Sequence, residues 1–155
     1  MSNLRSFLWS MVLVAAMSML AACQTMTGAG LSTSQVTAEL TPESASAISE
    51  DMVAKLAEQI GPGGTTIALR ADGSVFGAAL EASLRSWGYA VVTDQETGAT
   101  VTEPLAYVVD PFEGGVLVRL STQQAELTRM YMLTAEGAAP ASPLSVMQRG
   151  PGEST

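Results

Sequence analysis

Histidine is absent from the 155-residue chain, and cysteine occurs once, at Cys23. Without histidine, the commonest general base and the commonest metal ligand are missing. A single cysteine cannot close an intramolecular disulfide, so the fold has no internal staple. Basic residues are scarce too: seven Lys and Arg stand against fifteen Asp and Glu, a net charge of −8. Phosphate backbones repel a surface of that sign, which argues against nucleic-acid binding. Anionic lipid headgroups find no basic patch either, so attachment to a membrane has to be apolar.

The apolar material is concentrated at the start. Phe7 to Ala22 reads FLWSMVLVAAMSMLAA, sixteen uncharged residues behind Arg5 and the α-amino group. As a helix this run spans roughly 24 Å, short of the ~30 Å hydrocarbon core. Charge, apolar run and small residues in that order are the pattern of a signal peptide, expected over residues 1–22. The alternatives are an uncleaved membrane helix, or an ordinary signal peptide with an incidental cysteine. Leu20-Ala21-Ala22-Cys23 resembles the bacterial lipobox. That resemblance implies signal-peptidase recognition at Leu20, Ala21 and Ala22, cleavage before Cys23, lipid on its thiol and acylation of the new amine. Each buried methylene contributes about 0.8 kcal/mol, so several acyl chains make an anchor that scarcely dissociates. Gln24, where a retained Gram-negative lipoprotein would have Asp, implies sorting to the outer membrane. No cofactor other than this covalent lipid is expected.

Residues 23–40 are expected to be a lipidated flexible tether, because QTMTGAGLSTSQVTAEL shows neither helical nor strand periodicity. Such a segment has a typical end-to-end distance of about 20–25 Å. The folded domain is expected over 41–149, with a disordered tail over 150–155. Thr41 can cap a helix with Pro42 in its first turn, and Ile48, Met52, Val53, Leu56 and Ile60 make one apolar face. Gly61-Pro62-Gly63-Gly64 stops that helix, and TTIALR (65–70) reads as a strand. A second helix follows Asp72-Gly73-Ser74, with Phe76, Ala79, Leu80, Ser83, Leu84 and Trp87 on one face and Gly88 at its left-handed end. YAVVT (89–93) makes the next strand, so strand, helix and strand form a parallel crossover. Beyond an acidic loop (94–104), the runs at 105–110, 116–122 and 126–134 suggest an antiparallel meander, with PLSVMQR (143–149) as a further edge strand. The expected class is α+β: two helices packed on one face of a small mixed sheet, in the order helix-strand-helix-strand and then meander.

The chemistry-bearing groups have bland explanations. Gly61 to Gly64 precede a strand, whereas a phosphate cradle precedes a helix, and no Lys-Ser or Lys-Thr follows. Asp72 would repel an anion at the second helix's N-terminus, so capping explains that turn better. Asp94, Glu96 and Glu103 in one loop, and Asp110 and Glu113 in the next, lack the regular oxygen-ligand spacing of a calcium site and read as a solvated surface. A serine nucleophile would have to rely on Lys55, which has no motif around it. No catalytic, cofactor-binding or metal residues are therefore assigned, and an enzyme is not expected. Trp87 is expected to be buried, whereas Phe112, at the tip of a Pro-Phe-Glu-Gly-Gly turn, is the best candidate for a partner contact.

Phe76-Gly77, Leu80, Leu84-Arg85, Gly88-Tyr89 and Val91 form one block; Tyr107, Asp110, Arg119-Leu120 and Leu127-Thr128-Arg129 to Tyr131 form another. With the lipobox and the chain length, these residues resemble the conjugal transfer protein TrbH family. The resemblance implies an outer-membrane lipoprotein on the periplasmic face, a structural or assembly part of a type IV secretion apparatus that moves plasmid DNA. It implies no catalytic residues. Partners are then the membrane, through the lipid anchor, and other secretion proteins, with no direct nucleic acid and no small-molecule substrate. The other reading is an envelope lipoprotein that regulates a cell-wall enzyme or monitors the envelope. An exported hydrolase is disfavoured by the missing histidine.

Overall fold

The computed structural model of the chain describes residues 33–93 and 102–150. Helix α1 (Pro42–Ile60) starts as the sequence dictates, with the Thr41 side chain accepting from the Ser44 N–H at 3.2 Å. Gly61, at φ 83°, ends it. Strand β2 (Thr66–Leu69) leads through Ser74, whose hydroxyl accepts from the Gly77 N–H, into helix α2 (Val75–Ser86). At the far end the Tyr89 N–H bonds the Leu84 carbonyl and the Gly88 N–H bonds that of Arg85. This pair of bonds is a Schellman closure, and it requires the positive φ of 87° that Gly88 adopts. Strand β3 (Ala90–Thr93) then lies parallel to β2, as the crossover demands.

Strand β4 (Thr102–Phe112) is the long central element. It runs parallel to β2 and antiparallel to β5 (Gly115–Ser121), which pairs with β6 (Ala125–Thr134). The order across the sheet is β3-β2-β4-β5-β6-β7, where β7 is Gly137–Pro140. Two short strands complete it: β1 (Gln35–Val36) lies parallel to β4, and β8 (Ser145–Gln148) lies against β6. The two helices pack against each other over one face of this sheet, as expected. Their apolar stripes meet Ile67, Leu69, Leu105, Tyr107, Val118 and Leu120 in one buried core. Burying each such side chain contributes about 1.5–3 kcal/mol. The opposite face of the sheet carries no helix among the described residues.

Several expectations need correction. Residues 34–38 are not part of a free tether. Gln35 and Val36 pair with Val108 and Val109, the Thr37 N–H donates to the Val109 carbonyl at 2.9 Å, and Ala38 joins the core. A two-residue strand is too short to show alternation, which is why the sequence hid it. Strand β4 begins inside the expected loop and takes in Pro111 and Phe112, so the hairpin turn is Glu113–Gly114 alone. Strand β7 was not expected, because Gly-Ala-Ala-Pro carries no strand signal of its own. Trp87 is 42% exposed, while Tyr89 is buried in its place. The Schellman closure turns the chain one residue before the helical period would have brought Trp87 inward. Glu103 is 6% exposed and not a solvated loop group: its carboxylate accepts from the Gln123 N–H at 2.7 Å and the Gln124 side-chain amide at 3.2 Å.

Candidate functional site

The β4–β5 and β6–β7 turns lie at the same end of the sheet, since alternate strands of the meander reverse direction. Glu113 and Gly114 have φ values of 46° and 80°, the geometry of a two-residue type I′ turn. That conformation favours Gly, Asn or Asp, so a glutamate there is unusual. On the helix-free face just behind the two tips stand Phe112, 45% exposed, and Met132, 42% exposed. They belong to one row across the sheet: Phe112 pairs with Gly115, Met132 leans over Gly115, and Met132 pairs with Ala139. The next row on this face holds Asp110, Leu117 and Met130. Glu136 sits in the second turn, whereas Leu133, paired with Ala138, and Glu43, whose carbonyl lies beside Gly137, belong to the helix-covered side. The result is an apolar patch with an acidic rim.

The interior polar groups are engaged in holding the fold. Tyr131 donates from its hydroxyl to Asp51 at 2.5 Å, and Arg129 donates to the same carboxylate at 2.9 Å, tying β6 to α1. Burial, with the Asp51 carboxylate beside it, raises the Tyr131 phenol far above its ordinary value. Tyr107 donates to Asp72 at 2.5 Å, and Ser74 donates to the same oxygen at 2.6 Å. Burial, reinforced by that hydrogen bond, pushes the Tyr107 phenol up to about 12. For Asp72 burial opposes ionisation, but the bonds from Ser74 and Tyr107 prevail and hold the carboxyl below its ordinary value. Burial also raises the Tyr89 phenol, whose hydroxyl donates to the Gly61 carbonyl. Asp72 is therefore the hub of the β2–α2 turn, as the capping expectation required.

Leu20, Ala21, Ala22 and Cys23 lie outside the described residues, as do Asp94 and Glu96. Phe112 is exposed, as expected, although it ends a strand and does not sit at the turn tip. Asp110 accepts from the Thr37 hydroxyl at 2.5 Å, and Lys55 pairs with Glu58 at 2.7 Å. A groove of about 260 Å³ between the helices is lined by Ser46, Glu50 and small residues of α2, with Glu50 its only charged wall. Among the described residues no set of three His, Cys, Asp or Glu is placed to hold a metal ion, and no helix is long and apolar enough to cross a membrane. Sequence reasoning missed Met132, because only the register across β5 reveals that it shares a row with Phe112. Alternation along β6 puts Met132 on the face opposite Tyr131.

Comparison with known proteins adds what the geometry cannot. No solved structure matches this chain. A relative from Sinorhizobium fredii (strain NBRC 101917 / NGR234), named probable conjugal transfer protein TrbH, is 48% identical over 151 residues, covering 94% of this chain and 99% of that protein. The sequence profile of the family described as conjugal transfer protein TrbH matches residues 26–150, which takes in every described strand and helix. The chain belongs to the conjugal transfer protein TrbH family.

Proposed function

We propose that this conjugal transfer protein is an outer-membrane lipoprotein, anchored through Cys23 on the periplasmic face, that serves as a structural and assembly component of the secretion channel. Family membership carries the conjugative role and the company of other transfer proteins. The lipobox-like Leu20-Ala21-Ala22-Cys23 supports the anchor. The strap over 34–38 sharpens the picture: with Ser34 held at Tyr107, the ten residues 24–33 separate the anchor from the sheet. A segment of that length reaches at most ~35 Å when fully extended. The domain is thus confined to a thin shell, which raises its effective concentration for partners in the same layer.

Two measurements test this. Cys23→Ala should abolish palmitate incorporation and release the protein from the membrane fraction; incorporation that survives the change would refute the anchor. A clean deletion should lower plasmid transfer without altering DNA nicking at the transfer origin. Unchanged transfer would remove the conjugative role.

A further inference from the structure

We infer that the hairpin-tip end of the sheet is a docking surface for a segment of another transfer protein in which an apolar anchor is bracketed by Lys or Arg. The inference rests on the conjugative reading for the partner's class, and on the geometry below for its chemistry. Phe112 and Met132 stand on either side of Gly115 on the open face, where a side chain at 115 would run into the Tyr131 carbonyl and the Met132 thioether. Leu117 and Met130 continue the apolar floor in the next row. An aromatic side chain beside adaptable methionines is the composition of a surface that re-packs around an inserted apolar group.

Charge selects the occupant. Lys55, Arg85 and Arg129 each stand against a carboxylate, and Arg119 and Arg149 share that of Glu126, so these cations are largely engaged within the domain. Glu113 and Glu136, one on each turn, have no ion pair among the described residues, and Asp110 adds a third carboxylate on the open face. A second copy of this acidic chain would bring like charge to the rim, and an anionic bilayer would do the same. A segment with cations flanking its anchor meets complementary potential over distances inside the ~8 Å screening length of physiological salt. The unusual Glu113 conformation fits this reading, since a residue tolerated against backbone preference keeps an acidic side chain at the turn tip, next to Phe112 in sequence.

The experiment places photo-reactive p-benzoylphenylalanine at Ala139, exposed in the Met132 row, in the full-length chain within conjugating cells. The same probe at Met147, exposed on the same face in the row of Ala106, Ser121 and Glu126, serves as the control. The expected result is an adduct from Ala139 that maps by mass spectrometry to an apolar residue flanked by Lys or Arg. Phe112→Ser should lower its yield by roughly tenfold or more. The double change Glu113→Asn with Glu136→Gln should lower it comparably, and added salt should lower it as well. Asn suits the positive φ of position 113 better than Glu, so a melting temperature at or above the parent's will show that the fold is intact. An adduct on an acidic or uncharged segment, on a second copy or on phospholipid overturns the inference; so does equal capture from Met147, or no capture from Ala139. The deletion phenotype is a separate readout. Transfer that needs the protein without an Ala139 adduct sinks the docking surface alone, whereas a basic-segment adduct with transfer unaffected sinks the conjugative role alone.

Discussion

Gly77 and Tyr107 are thirty residues apart in sequence and touch in space. A Cβ on Gly77 would fall on the Tyr107 hydroxyl, which is itself held by Asp72 and packed edge-on against Phe76 at 5.3 Å between ring centres. Helix propensity alone favours alanine over glycine by about 1 kcal/mol, so a steric role predicts the opposite sign. Gly77→Ala should destabilise the domain by about 1–3 kcal/mol in denaturant unfolding. In a Tyr107→Phe background the penalty should largely disappear, because the clashing oxygen is gone; additive effects would refute the contact. The same hydroxyl predicts an alkaline limit. A phenol raised from 10.0 to about 12 in the folded state contributes stability that is fully present below pH 10 and is lost as pH rises through 12. Tyr131, raised in the same direction, adds to that loss. Unfolding free energy measured against pH should therefore fall over this window, and less steeply in Tyr107→Phe. Asp72 works at the other extreme: its lowered carboxyl contributes stability above its ordinary 3.8 that is lost as pH falls below it.

At the scale of elements, the strap over 34–38 changes where the domain begins. Val36 and Leu40 pack against the core, Ala38 lies within it, and the Thr37 hydroxyl reaches Asp110 at 2.5 Å. A protein starting at Thr33 should be more stable than one starting at Thr41 by about 2 kcal/mol or more, from lost apolar burial and hydrogen bonds. Equal melting temperatures would show that the strap contributes nothing. Both helices, their caps and the β2–α2–β3 crossover were legible in the sequence, because periodicity, capping residues and glycine conformation are local properties. The strap and β7 were not. A strand of two residues, or one of Gly and Ala, exists only because a neighbouring edge supplies its hydrogen-bond partners. Trp87 was misplaced for a related reason: helical spacing continued past the point where the Schellman bonds had already turned the chain.

For the molecule as a whole, the proposed anchor point and the described fold occupy different stretches of the sequence. Cys23 lies outside the family match at residues 26–150. Exported Cys23→Ala protein should therefore melt at the same temperature as the mature parent, while plasmid transfer falls toward the level of the deletion. Transfer at the parental level would mean that the domain works without its tether point. What the sequence determined by itself is whatever depends on neighbours along the chain or on summed charge: the helices and their caps, the α+β class and the acidic balance of the chain. Only the tertiary structure decided which residues face one another. Glu103 became an interior acceptor, Gly77 the seat of a tyrosine hydroxyl, and Phe112 and Met132 neighbours on an acidic rim. The physical reason is that burial and charge complementarity are set by register between strands, and register is fixed by packing across the whole sheet, not by the order of residues within any one of them.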